Sequence, residues 1–183
     1  MTLQELERRL RTLEAIEEIK QLQVHYVNCI ITLNWDEVVN CFAEDAVVDL
    51  HAGLASGRGE ITTLFTEVLS RTYKGLEGDF VVHPLISIEG DKAKGSWLIY
   101  FQYAQPRKIE AVPHYRPTED APDWLHGFYE NEYRRVDGRW KISSLKYRTR
   151  LISPLTLAAS EYKMGGQGGY GFSPSPLATH KSE

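Results

Sequence analysis

Cysteine is scarce in this chain of 183 residues: there are two, Cys29 and Cys41, without C-x-x-C spacing. Two are too few for a disulfide framework, and they read as small buried apolar side chains in a reducing compartment. Basic surplus is also missing, since 21 Lys and Arg stand against 25 Asp and Glu, a formal net charge of −4. Nothing is available to neutralise a run of phosphates, so nucleic acid is not an expected partner. No run reaches the ~18 apolar residues that a membrane span needs. The start, MTLQELERRL, is charged and helical, unlike a signal peptide. A cytoplasmic protein without a membrane partner is expected. The six histidines include no pair at i, i+2 or i, i+4 backed by carboxylates, so neither a metal nor another cofactor is expected. There is no internal repeat. What is present, 42% hydrophobic and 25% charged residues, is the composition of a globular domain able to bury one core.

Thr2 and Glu5 form a capping-box pattern, followed by Leu6, Leu10, Leu13, Ile16, Ile19, Leu22 and Tyr26 at spacings of three and four. The spacing predicts one amphipathic helix to about Thr32. Asn34 is placed to cap a second, short helix with Trp35, Val38, Val39 and Phe42 on its apolar face, broken at Glu44-Asp45. Ala46 to Leu50 reads as a strand, Gly53 to Gly59 as a turn, and Ile61, Leu64, Phe65, Val68 and Leu69 as a third helix ending near Tyr73-Lys74-Gly75. Beyond it lie β patterns at Val81–Ile88, Lys94–Tyr103, Leu125–Val136 and Arg139–Leu151. Hairpin chemistry at Glu89-Gly90-Asp91 and Val136-Asp137-Gly138 joins the first pair and the last pair. Gln105 to Asp123 carries Pro106, Pro113, Pro117 and Pro122 and reads as a long excursion of the kind that forms a lid. Residues 1–153 are expected to form the domain. The Gly-, Pro- and Ser-rich tail, 154–183, cannot form a core alone and is either disordered or laid across the body, covering the pocket. Helices followed by antiparallel strands argue an α+β domain whose curved, mostly antiparallel sheet wraps three N-terminal helices around an apolar cavity.

The sequence resembles the nuclear transport factor 2-like superfamily, in the branch with SnoaL-like cyclases, scytalone dehydratase and bile acid dehydratase. The likeness spans about Leu13 to Ser153. It rests on His25-Tyr26 ending the first helix, Asn34-Trp35-Asp36 leading to Cys41-Phe42-Ala43-Glu44-Asp45-Ala46, the hairpin Ile86 to Ala93, and Tyr133-Arg134-Arg135-Val136-Asp137-Gly138-Arg139-Trp140-Lys141-Ile142. It implies a cone-shaped α+β barrel with a deep pocket, usually a homodimer through the outer sheet face. In the dehydratases of this branch, a helical Asp and a strand His move the proton. Carried over residue by residue, those positions are Ile31 and Asp79 here, so the usual dyad is not kept. A second pocket His of scytalone dehydratase falls on Tyr103 and its pocket Asn on Tyr129. The helical Tyr of bile acid dehydratase is matched by Tyr26, whereas its strand Asp becomes Phe101 and its late Arg becomes Thr149.

Strand parity aims Val48 and Leu50; Asp79, Val81 and His83; Trp97, Ile99, Phe101 and Tyr103; Leu125, Gly127 and Tyr129; and Leu145, Tyr147 and Thr149 inward. Such a tyrosine-rich lining suits an apolar or aromatic small molecule bearing hydroxyls. Asp79 is the one carboxylate placed inside. In apolar surroundings its pKa would rise, making it a general acid or base; at the strand entrance it would instead be solvated and cap a turn. His83 lies ~13 Å further along an extended strand, too far for a direct dyad. Tyr26 reads either as core or as a catalytic phenol. His25 and His51 fall on the opposite parity, with surface or dimer-interface roles, while His114 and His126 lie near a pocket mouth. Two functions remain open: a cofactor-independent lyase or isomerase, with Tyr26 and Asp79 as catalytic candidates, in which Asp79 or a tyrosinate-assisted relay removes a proton before loss of water or of formaldehyde, or a noncatalytic binding module of the same fold.

Overall fold

The computed structural model describes residues 1–50, 52–73, 77–103 and 124–153. The tail 154–183, the whole of the proline-rich excursion, His51 and His114 therefore lie outside the described residues.

The first helix, α1 (Leu3–Ile31), starts at the predicted cap, where the Thr2 hydroxyl accepts the Glu5 N–H at 3.2 Å. Its buried face begins at Ala15 and continues through Ile19, Gln23, Tyr26, Val27 and Ile30. Leu6, Leu10 and Leu13, expected on that face, are exposed, because the burying surface starts only one turn later. The short α2 (Trp35–Asn40) forms without a side-chain bond from Asn34. Phe42, expected to close this helix, instead opens strand β1 (Phe42–Leu50), which continues through Glu44-Asp45 with a shift of its register against the last strand between Phe42 and Val47. The charges do not break the strand because they point to solvent, where Arg58 pairs with Glu44 and Arg134 with Asp45. Gly53–Ser56, expected as turn, forms a short strand β2 antiparallel to β1.

A continuous helical stretch follows: α3 (Gly57–Thr63), a π-helical turn (Leu64–Leu69) and a last turn (Ser70–Thr72). The hydroxyls of Thr62, Thr66 and Ser70 each donate to the carbonyl four residues back, at 2.8, 2.8 and 2.6 Å. Such back-bonding competes with the regular ladder and accompanies its widening here. Phe65 stays fully buried while Tyr73 is delivered at the end of the stretch.

The remaining strands are β3 (Glu77–Glu89), β4 (Lys92–Tyr103), β5 (Trp124–Val136) and β6 (Arg139–Ser153). They form one six-stranded sheet in the order β2-β1-β6-β5-β4-β3, parallel only between β1 and β6. The sheet is curved and does not close, since β2 and β3 are its two edges. Both predicted hairpins are present, with Gly90, Asp137 and Gly138 at φ 59°, 49° and 77°. The core lies between the inner sheet face and the helices, from Ile19 and Val27 to Ile99, Ile142 and Leu145.

Close approach at one point depends on a missing side chain. A Cβ on Gly127 of β5 would meet the Arg148 carbonyl oxygen at 2.3 Å and the Tyr147 ring and hydroxyl at 2.7 Å. Gly127→Ala must therefore push β6 or the Tyr147 ring aside. A loss of ~1–3 kcal/mol is expected in urea unfolding, the usual cost of overpacking; an unchanged midpoint would show that Tyr147 moves freely.

Candidate functional site

Beneath α1, the inner face of β3 to β6 carries a chain of aromatic rings ending at a carboxyl group. Tyr26 sits edge-on to Phe42, Phe65 and Tyr129, with ring centroids 5.6, 6.2 and 6.2 Å away. Tyr129 meets Tyr147 at 5.8 Å, and Tyr147 meets Phe101 at 5.5 Å. Asp79 is the direct cross-strand partner of Phe101. Parity and the edge-to-face preference of aromatic rings together bring residues of seven elements to one place.

Asp79 is 6% exposed. Its Oδ2 accepts the Tyr73 hydroxyl at 3.2 Å, while Oδ1 is buried without a hydrogen-bond partner among the described residues. Burial lifts its pKa to about 7, against a smaller opposite pull from the Tyr73 hydrogen bond. A carboxyl group so placed can take or give a proton near neutrality. Burial likewise raises the phenol pKa values of Tyr26 and Tyr129, and the Asp79 charge raises both further. These phenols stay protonated and act as hydrogen-bond donors. The Tyr26 hydroxyl faces that of Tyr129, which partly offsets the effect of burial on Tyr26, and has no other hydrogen-bond partner among the described residues.

The expected lining is brought together in large part. Trp97, Phe101, Tyr129 and Tyr147 are buried; Leu50 is partly buried and packs against the core, and Thr149 is half-buried. Tyr103 pairs with Glu77 in the ladder, and its side chain lies outside the described residues. His83 is a correction: parity aims it inward, yet it is exposed with φ 51°. A bulge between Val82 and Leu85 inserts an extra residue beside Pro84, and alternation resumes inward only at Ile86 and Ile88. Asp79 is not the only carboxylate inside, because Glu77, two residues earlier on the same face, is 7% exposed. His126 lies on the face opposite Gly127 and Tyr129, stacked on Tyr100 at 4.3 Å. His25, on the helix surface, approaches Glu37 at 3.6 Å and the Cys29 sulfur at 3.6 Å. No group of metal-binding side chains occurs among the described residues.

Two features went unread in the sequence. Tyr73 stands at the expected helix end, in extended backbone after the last turn, and its local sequence does not state that its hydroxyl meets Asp79. Gln23, Asn131 and Tyr133 form a second buried layer with Trp97; the parity of Gly127 and Tyr129, and the four-residue step from Ile19 to Gln23, carried that signal.

The raised Asp79 pKa has a stability consequence. Between the unfolded carboxyl value of ~3.9 and about 7, the folded chain holds a proton that the unfolded chain has lost, so stability falls as pH rises. Asp79→Asn is expected to remove this slope, raising Tm over the parent at pH 8 and matching it more closely at pH 4.5. The gain is on the order of a few kcal/mol at the alkaline end. Thermal melts across this range check it, and equal slopes in both proteins would place Asp79 in contact with solvent.

Comparison with known proteins agrees with this architecture. No curated protein matches the chain. Among solved structures, LinA aligns with TM-score 0.63 at 17% identity, covering 82% of this chain and 92% of that one. An NTF2-like protein with a cystatin-like fold from Novosphingobium aromaticivorans aligns with TM-score 0.62 at 19% identity, covering 88% and 98%. A protein described as a putative scytalone dehydratase from the same organism aligns with TM-score 0.59 at 21% identity, covering 77% and 87%. Identities at this level speak for the fold alone. The profile of the SnoaL-like domain matches residues 11–146, most of the chain, and the protein belongs to that family, within the NTF2-like superfamily.

Proposed function

We propose that the protein is a cofactor-independent lyase or isomerase acting on a hydrophobic, aromatic or polycyclic hydroxylated small molecule. The observation that carries this reading is Asp79: a carboxyl group with pKa near 7, one oxygen held by Tyr73 and the other unpartnered among the described residues, at the end of an aromatic lining. In an elimination, Asp79 Oδ1 takes the proton from carbon next to an activating carbonyl. The C–H electron pair becomes the new double bond, the β C–O bond breaks, and Asp79 returns its proton to the leaving hydroxyl as water. The neutral Tyr26 phenol donates a hydrogen bond to the carbonyl oxygen as it gains charge. Retro-aldol loss of formaldehyde uses the same base on a hydroxymethyl O–H, the C–C electron pair passing to the activated carbon. Leu50, Trp97, Phe101, Tyr103, Tyr129, Tyr147 and Thr149 are proposed to shape the pocket, and His83 is not carried forward.

A binding module is the second reading, favoured by Ile31, which stands where the resembled dehydratases have their helical Asp. Incubation with a panel of hydroxylated aromatic dimers, polyketides and steroids, followed by mass spectrometry, separates the two. Loss of water or formaldehyde is expected, falling at least ~100-fold in Asp79→Asn and about 100-fold in Tyr26→Phe, the range of acid-base and oxyanion-donor contributions. Full turnover by Asp79→Asn would sink the proposed base. Unchanged ligands that raise Tm in a saturable way would establish the binding module.

The outer sheet face is proposed to pair with a second copy. It exposes Phe80 (56%), Leu85 (76%) and Phe128 (37%), beside a groove of ≈ 560 Å³ where Lys94 and Lys146 alternate with Glu130 and Glu132. Apolar residues with interspersed charges of both signs suit a self-complementary two-fold contact. Light scattering after gel filtration is expected to give twice the chain mass, and Phe128→Glu one chain mass; a monomeric parent would refute the pairing.

A further inference from the structure

Below the phenol layer lies a layer of buried amides that the mechanism above does not use. Gln23 is one helical turn before Tyr26, and Asn131 is two residues beyond Tyr129 on the same strand face; both are at least 98% buried, being 0% and 2% exposed. Asn131 Nδ2 donates to Gln23 Oε1 at 2.8 Å and to the Tyr133 hydroxyl at 3.1 Å. Tyr133 in turn donates to Gln23 Oε1 at 2.9 Å and accepts from Trp97 Nε1 at 2.8 Å. Gly95, whose absent Cβ would lie 3.0 Å from the Tyr133 ring and 3.2 Å from Trp97 Nε1, leaves room for this arrangement.

The network is incomplete. Gln23 Nε2 and Asn131 Oδ1 have no hydrogen-bond partner among the described residues. Turning both amides over exchanges which residue donates, but still leaves one free donor and one free acceptor. Buried polar atoms of this kind are normally satisfied, and a hydroxyl, of a ligand or of water, can satisfy a donor and an acceptor together. The step from the phenol layer is ~4.5 Å along the helix and ~7 Å along the strand, about the width of one aromatic ring.

We propose that Gln23 and Asn131 form a second polar contact of the pocket, one that binds a hydroxyl on the ligand about one aromatic ring away from the Tyr26 phenol. This rests on the reading of the site as an aromatic-ligand pocket and adds what the far end of that ligand carries. Gln23 and Asn131 are then specificity determinants, while Tyr133 and Trp97 hold their amides in place.

Calorimetric titration of the full chain with 2-naphthol and 2-methoxynaphthalene tests it, because the methyl ether keeps the rings and loses the donor. A preference of roughly tenfold for 2-naphthol is expected, retained in Asp79→Asn and lost in Gln23→Leu/Asn131→Leu. Near-UV circular dichroism checks that the double variant is folded; if it is not, Gln23→Met replaces it with the same expected loss. Equal binding of the two probes would overturn this inference and leave the aromatic pocket standing, with the amides holding structural water. A preference that survives the amide variants would overturn it as well. Failure of both probes to bind would overturn the aromatic-pocket reading and this inference together.

Discussion

Everything inside this protein is arranged around the seat of α1 against the concave face of the sheet. A helix places side chains on one face every three or four residues and a strand every two. Where those periods meet, Ile19, Gln23, Tyr26 and Ile30 descend onto Ile99, Tyr129, Asn131 and Tyr133. Burial of that surface supplies the main drive for folding, at roughly 25 cal/mol per Å² of apolar area. Sheet curvature lets one helix cover several strands, and it brings polar side chains from α1 into the interior alongside apolar ones.

The polar groups inside are therefore the costly part of the fold. A well-packed core of this size needs no carboxyl group, yet Asp79 sits there with the Tyr73 hydroxyl as its one side-chain hydrogen-bond partner among the described residues. Buried carboxyls without a cation beside them shift toward the neutral form, and the phenols around Asp79 shift the same way. The interior consequently holds exchangeable protons on groups that water does not reach. Stability is sacrificed for that arrangement, which is the usual mark of a site rather than of a core.

Much of this was legible in the sequence. The capping box at Thr2, the two hairpins and the parity of β4, β5 and β6 placed Trp97, Phe101, Tyr129 and Tyr147 on one face, because alternation survives wherever a strand is regular. Errors fell where regularity stops. Parity misplaces His83 because a bulge beside Pro84 adds a residue; a proline within a strand marks an edge or a bulge but does not state which residue is inserted. Phe42 was misread because helix and strand patterns coincide over a few apolar residues. Leu6, Leu10 and Leu13 show a fine amphipathic stripe, but a stripe does not state how far along the helix its partner surface extends.

The sequence by itself determined the α+β class, the order of the elements and which faces of β4 to β6 turn inward. Periodicity, capping and turn chemistry are local and act wherever the chain is. Tertiary structure alone decided that the Tyr73 hydroxyl turns back to Asp79, six residues on in β3, and that Gln23 meets Asn131 across more than a hundred residues of chain. It also decided that Gly127 makes room for Tyr147. Those contacts depend on the curvature of the sheet and on where a bulge resets its register, and both arise only when all the strands have been laid side by side.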